Sequence, residues 1–317
     1  MNIVILDRAA LGEDVDLSAF ERLGTVTVYQ STQPEQVIER LKDADALLTN
    51  KVVIGKREMD ALEKLRYIGI NATGTNNIDL NYAAQKGIAV TNVRSYSTDS
   101  VVQHTFALLF YVYEKLRFYD DFVKSGEYSE CGCFTYFGER FNELKGKTWG
   151  IVGLGEIGRG VAKVARAFGC RVIYYSTSGK NDNPDYERAD WETLLAESDI
   201  LSIHAPLNPQ TQGLMNKEAF ARMKKTAVLI NVGRGPIVCE ADLVRALNEG
   251  EIAAAALDVV SEEPIRNDNP LLLIKDSRRL VITPHIAWAA SEARQRLVDE
   301  AYRNLEAFSK GESRGRV

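Results

Sequence analysis

Three segments in the C-terminal half of the chain each end an apolar run with a side chain suited to anion or proton chemistry. Ile230-Asn231-Val232-Gly233-Arg234-Gly235 offers an arginine flanked by glycines. Leu257-Asp258 leads to Ser261-Glu262-Glu263-Pro264, and Ile282-Thr283-Pro284 leads to His285. An arginine is always charged, and its planar fork grips a carboxylate through two parallel hydrogen bonds. A histidine titrates near neutrality, which suits it to pass a proton to a reacting oxygen. A glutamate of opposite charge, as Glu262 and Glu263 offer, suits the task of holding such a ring.

A fourth segment concerns a ligand. The run Trp149-Gly150-Ile151-Val152 passes into Gly153-Leu154-Gly155-Glu156-Ile157-Gly158 and then into a helical stretch, Arg159 to Phe168. Between a strand and a helix this spacing has a mechanism. Gly153 permits a tight turn, Gly155 lets backbone approach a pyrophosphate, and Gly158 lets helix and strand pack closely. The helix start adds free N–H groups for the anion. The segment therefore reads as a dinucleotide site. An acid is expected about 20 residues on, to bond the ribose hydroxyls of NAD. Ser176 stands there instead, in Tyr175-Ser176-Thr177-Ser178-Gly179-Lys180. Its neighbours Thr177 and Ser178 also suit a phosphate, with Lys180 as a cation and no arginine at that tip. NAD and NADP are both admitted.

These groups need elements to hold them. Ile3-Val4-Ile5-Leu6, Val26 to Tyr29, Ala46 to Thr49, Tyr67 to Ile70 and Ile88 to Val90 read as strands. The stretches Gln33 to Lys42 and Arg57 to Leu65 between them have helical spacing. A second series follows: Trp149 to Val152, Arg171 to Tyr175, Ile200 to Ile203, Ala227 to Ile230, Ala253 to Leu257 and Leu280 to Ile282. Continuous apolar strands alternating with helices imply parallel sheets covered on both faces. One helix is expected over Thr98 to Val123, a loop over Gly126 to Gly138, and a last helix over Glu292 to Lys310. In such sheets ligands bind outside the carboxyl ends of the strands, where all four segments lie.

Composition excludes several classes. The 317 residues are 45% hydrophobic and 26% charged with a net charge of −5, so a full core is expected and no pull towards nucleic acid. The apolar run Val101 to Tyr113 is too short to span a bilayer, and the short apolar run at Ile3 to Leu6, without a basic region, leads us to expect no leader. Four cysteines make no disulfide framework. Cys131 and Cys133 read as reduced thiols, because no ligand set with metal spacing accompanies them. A soluble cytoplasmic protein is expected. His104 and His204 read as core histidines.

The order of the four motifs, with Thr49-Asn50-Lys51, Ala72-Thr73-Gly74 and Tyr96-Ser97-Thr98-Asp99-Ser100-Val101, resembles the D-isomer-specific 2-hydroxyacid dehydrogenases. Within them it is similar to the glycerate dehydrogenase, or hydroxypyruvate reductase, branch. The resemblance implies two doubly wound α/β parallel-sheet domains with a cleft between them. A Rossmann cofactor domain, 99–287, is inserted in a flavodoxin-like substrate domain, 1–98 plus 288–317. It implies reduction of a small 2-oxoacid by NADH or NADPH, with Arg234 on the carboxylate and carbonyl, His285 as proton donor and Glu263 as its holder. Asp258 would bond the nicotinamide carboxamide, while Thr98, Pro206, Val232 and Gly233 would lie beside the cofactor. Lys51, Thr73 and Gly74 would bind the substrate, the latter two through backbone N–H groups. A homodimer is implied, compatible with Phe110, Tyr111 and Tyr113 on the long helix. One departure is visible: Val93-Arg94-Ser95 stands where relatives carry Val-Pro-Gly. Two alternatives remain open, a dehydrogenase of branched or aromatic 2-oxoacids and a dinucleotide-sensing protein of the corepressor kind.

Overall fold

The computed structural model describes residues 1–276 and 278–317. The chain divides into two compact units, Met1–Ser97 with Ala289–Val317, and Thr98–Trp288.

The first unit is built on five parallel strands: β1 (Asn2–Ile5), β2 (Thr25–Val28), β3 (Ala46–Thr49), β4 (Tyr67–Ile70) and β5 (Ala89–Thr91). Their order is β2-β1-β3-β4-β5, the flavodoxin-like arrangement. Successive side chains point to opposite faces. Leu47, Ile68, Ile70 and Val90 pack against helices Val37–Leu41, Lys56–Ala61 and Leu80–Gln85. On the other side of β4, the Tyr67 ring meets Phe308 of helix Ser291–Ser309 at 5.0 Å. The same helix sets Tyr302 against Phe20, 5.8 Å between ring centres.

The second unit holds seven parallel strands: β6 (Thr148–Val152), β7 (Arg171–Tyr175), β8 (Glu187–Arg188), β9 (Ile200–Ile203), β10 (Val228–Asn231), β11 (Ala254–Leu257) and β12 (Leu280–Ile282). The order is β12-β11-β10-β9-β6-β7-β8, a Rossmann sheet whose reversal falls between β6 and β9. Alternation makes two cores. Ile151, Tyr174, Ile230 and Ala256 pack with the helices Thr98–Tyr113 and Glu156–Ala167. Val152, Ile173, Ile203, Leu229 and Leu257 pack with Trp191–Glu197, Lys217–Arg222 and Glu240–Glu249. Trp149 is fully buried and donates its ring N–H to Ser202 Oγ at 2.8 Å.

Two elements differ from the sequence reading. The helix expected over Thr98 to Val123 is two helices, Thr98–Tyr113 and Leu116–Lys124. Lys115 takes a left-handed conformation, φ 58°, and donates Nζ to Arg278 O at 3.2 Å, a tertiary bond that the unbroken helical pattern does not reveal. The loop after residue 126 contains a short helix, Glu127–Glu130. Among the described residues no helix is long and apolar enough to cross a membrane, and no three His, Cys, Asp or Glu side chains are grouped to hold a metal. Cys131, Cys133, Cys170 and Cys239 are free thiols.

Candidate functional site

Every candidate residue of the second unit except Thr98 follows the carboxyl end of a strand. Thr98 opens the helix Thr98–Tyr113. Gly153 follows β6 with φ 91°, a conformation that disfavours any other residue, and a Cβ there would lie 2.9 Å from the backbone of Ala205. At Gly158 a Cβ would strike Gly153 O. Nothing lies within 4 Å of the Cβ position at Gly155, so open space borders the backbone at the start of helix Glu156–Ala167. No side chain caps that helix, which leaves N–H groups at its first turn, Glu156 and Ile157 included, available to an anion. This cradle fits a pyrophosphate.

The tip of β7 is more ordered than its sequence suggests. Ser176 is buried, and its Oγ accepts the Asn181 N–H at 3.1 Å. Asn181 Nδ2 in turn donates to Leu154 O at 2.7 Å, tying this loop to the glycine turn. Thr177 is half-buried and Lys180 is exposed. The sequence reading found no arginine here, and the structure corrects it. Arg188 of β8 donates to Gly179 O at 3.0 Å, which sets a guanidinium beside the loop. A two-residue strand leaves no pattern that announces this.

Pro206 is exposed after β9. Its neighbour His204 contacts Ser202 Oγ at 3.0 Å, and burial pushes its imidazole down to about 3, so the ring is neutral. Beyond β10 the turn is pinned by fully buried Asn231, whose side chain accepts the Gly233 N–H at 3.0 Å and donates to Arg234 O at 3.0 Å. Val232 is buried. A Cβ at Gly235 would overlap Val260 backbone. The Arg234 guanidinium is exposed, bonds Gly233 O at 2.7 Å, and has no carboxylate partner among the described residues.

His285 Nδ1 lies 2.6 Å from Glu263 Oε2, and Glu263 Oε1 accepts the Val260 N–H at 3.2 Å. With Nδ1–H donated to the carboxylate, Nε2 has no partner among the described residues. His285 is left-handed, φ 55°, a conformation unusual for a residue with a side chain. Asp258, 1% exposed, holds it there. Its carbonyl accepts the His285 N–H at 2.8 Å. Its carboxylate takes the Thr283 hydroxyl at 2.6 Å and the N–H groups of Ile286 and Ala287 at 2.9 and 2.8 Å. Burial alone would raise this carboxyl, but the bonds from His104, Thr283, Ala287 and Ile286 outweigh it and hold it below its usual range.

His104, set aside from sequence, belongs to this network. Its Nε2 lies 3.1 Å from Thr283 Oγ1 and 3.5 Å from Asp258 Oδ1. Since Thr283 gives its only hydroxyl proton to Asp258, it accepts from His104, whose Nε2 must therefore carry a hydrogen.

In the first unit, the turn after β3 is organised by buried Asp7, which the sequence reading missed. Its carboxylate accepts the N–H groups of Asn50 at 2.9 Å and Lys51 at 2.7 Å and the Thr49 hydroxyl at 3.1 Å. Lys51 itself is exposed. After β4, Thr73 donates its hydroxyl to Val93 O at 2.8 Å and accepts Asn92 Nδ2 at 2.7 Å, which fixes the turn that continues into Gly74.

Residues 106–287 match the family described as D-isomer specific 2-hydroxyacid dehydrogenase, NAD binding domain. The chain is similar to a hydroxypyruvate reductase of Blautia hydrogenotrophica, 41% identical over 319 residues and covering 98% of each chain. A glycerate dehydrogenase of Methylorubrum extorquens is 36% identical over 310 residues, covering 98% of this chain and 96% of the relative. Among solved structures, an acyclic imino acid reductase in complex with NADPH and D-Arg superposes with a TM-score of 0.87, at 28% identity and covering all of both chains. On the family match and these full-length relatives, the chain belongs to the D-isomer specific 2-hydroxyacid dehydrogenases.

Proposed function

We propose that the chain reduces a small polar 2-oxoacid, hydroxypyruvate or glyoxylate, to the D-2-hydroxyacid. The observation that carries this is the His285–Glu263 pair, whose Nε2 has no partner among the described residues, in a unit that also carries the exposed Arg234 guanidinium. A bound nicotinamide dinucleotide supplies the hydride. Gly153, Gly155 and Gly158, with N–H groups of Glu156 and Ile157, would hold its pyrophosphate, and Ser176 and Thr177 its adenine ribose. Thr98, Pro206, Val232 and Gly233 would lie alongside it, and Asp258 would keep one acceptor position for the carboxamide. Arg234 holds the oxoacid carboxylate and draws charge from the carbonyl. His285 gives its Nε2 proton to that oxygen while Glu263 keeps the ring oriented. Lys51, Thr73 and Gly74 would also bind the substrate. Names of the relatives support the substrate class.

The test is a panel of 2-oxoacids run with both cofactors. Hydroxypyruvate or glyoxylate should give a higher kcat/KM than phenylpyruvate, and the reverse would reassign the branch. Consumption of no acid at all would favour the sensor reading. NADPH should be used within about tenfold of NADH or better, a difference of ~1.4 kcal/mol. Ser176 stands where the repelling carboxylate is expected, and Arg188 adds a cation beside the loop. Ser176→Asp should move preference towards NADH, and a wild type more than a hundredfold selective for NADH would sink the idea.

His104 acts on the reaction through Asp258 and Thr283, as a positioning residue. One hydrogen bond is worth about 1 kcal/mol, so His104→Phe should lower kcat roughly fivefold with cofactor Kd unchanged. His104→Gln, which restores a donor, should recover part of the loss. Equal rates in all three proteins would leave His104 without that role.

A homodimer is supported by exposed Leu116, Val123, Phe134, Phe137 and Phe141, an unusual amount of apolar surface for one region. Free thiols at all four cysteines support a reducing, cytoplasmic setting.

A further inference from the structure

The first unit contains a cavity of about 400 Å³ whose lining includes Asn92, Arg94, Glu300, Asn304, Arg314 and Arg316. Its charge is unbalanced. Glu300 is taken by Arg314 at 2.6 Å and also by Arg303. Arg94 and Arg316 are exposed and have no carboxylate partner among the described residues. Two unneutralised guanidiniums therefore face one concavity in a chain of net charge −5.

The walls are built rather than loose. Asn304, 3% exposed, donates Nδ2 to Asn92 O at 3.1 Å and accepts Arg314 Nη1 at 2.7 Å. Asn92 N–H donates to Gly315 O at 3.1 Å, and Thr91 bridges Arg316 in antiparallel fashion. Gly315, φ 61°, passes so close over Asn304 that a Cβ would lie 2.7 Å from its amide. These bonds fix the backbone at residues 314–316, while the exposed Arg94 and Arg316 side chains are ordered only when a ligand arrives. Planar forks match carboxylate and phosphate oxygens, and the volume is within the usual range for small-molecule sites.

We propose that this cavity binds a small anion carrying at least two negative charges, a phosphate ester or a di- or tricarboxylate, as a ligand additional to the 2-oxoacid. Isothermal titration of the intact protein, free of cofactor and oxoacid, tests it with inorganic phosphate and with citrate, ionic strength being held constant with sodium chloride. Wild type should bind at least one of them with a Kd in the millimolar range or tighter. The double variant Arg94→Gln/Arg316→Gln should bind at least tenfold more weakly while its kcat stays within twofold of wild type. Arg94→Gln alone, the variant to use if the double one does not fold, should lose about fivefold. Binding of phosphate but not citrate assigns phosphate esters, and the reverse assigns carboxylates. Absence of binding by wild type, or undiminished binding by the variants, as an anion held at Arg234 would give, overturns the proposal.

Discussion

Glutamine at position 285 should lower kcat by at least about 10², the usual scale for a lost general acid, and leave the Kd for NADH near its wild-type value. The substitution separates two jobs of the ring. A glutamine amide still donates a hydrogen bond towards Glu263, which His285 engages at 2.6 Å, but it has no proton to release near neutrality. The backbone demand is unchanged, since φ 55° is imposed by the bonds from Asp258 and not by the imidazole. Stopped-flow or steady-state kcat and a fluorescence titration with NADH check the two halves. A near-normal kcat would remove the proton-donor role.

Arg234→Lys is expected to be comparably severe, lowering kcat/KM by about 10². Bonds to charged groups contribute roughly 1.5–3 kcal/mol, and an ammonium cannot reproduce the two-pronged grip. Because no carboxylate of the described residues leans on this guanidinium, the change breaks no internal ion pair. Asn231 keeps the turn in place, so lysine is presented from the same backbone. The loss should appear in KM for the oxoacid as well as in kcat, which is the signature of a group that binds the ground state and also stabilises the transition state. An unchanged KM would mark Arg234 as a structural arginine.

Much of the fold is legible because parallel strands buried on both faces read as near-continuous apolar runs, as Tyr67–Ile70 and Ala254–Leu257 do. The glycine turn is legible for a related reason: Gly153 and Gly158 are required by backbone proximity, and that requirement restricts the residue type. Groups that act through distant partners are not legible. His104 reads as one more residue on an apolar helix face until Thr283, 179 positions later, is brought against it. Asp7 has its four acceptor bonds with residues 49–51, across a strand crossover. The break at Lys115, φ 58°, carries no glycine or proline to announce it. Arg188 escapes because β8 is only two residues long.

The helix Ser291–Ser309 belongs to the first unit but is encoded at the far end of the chain. During synthesis the five-stranded sheet is therefore complete in sequence by residue 91, yet the face around Tyr67 and Phe20 stays bare until Tyr302 and Phe308 have left the ribosome. Residues 98–288 are contiguous and can close their own core in the meantime. The usual N-to-C order of domain folding is inverted: the unit that starts first finishes last. Its nascent sheet stays an exposed apolar surface for the time needed to make some two hundred residues at about 5–20 per second.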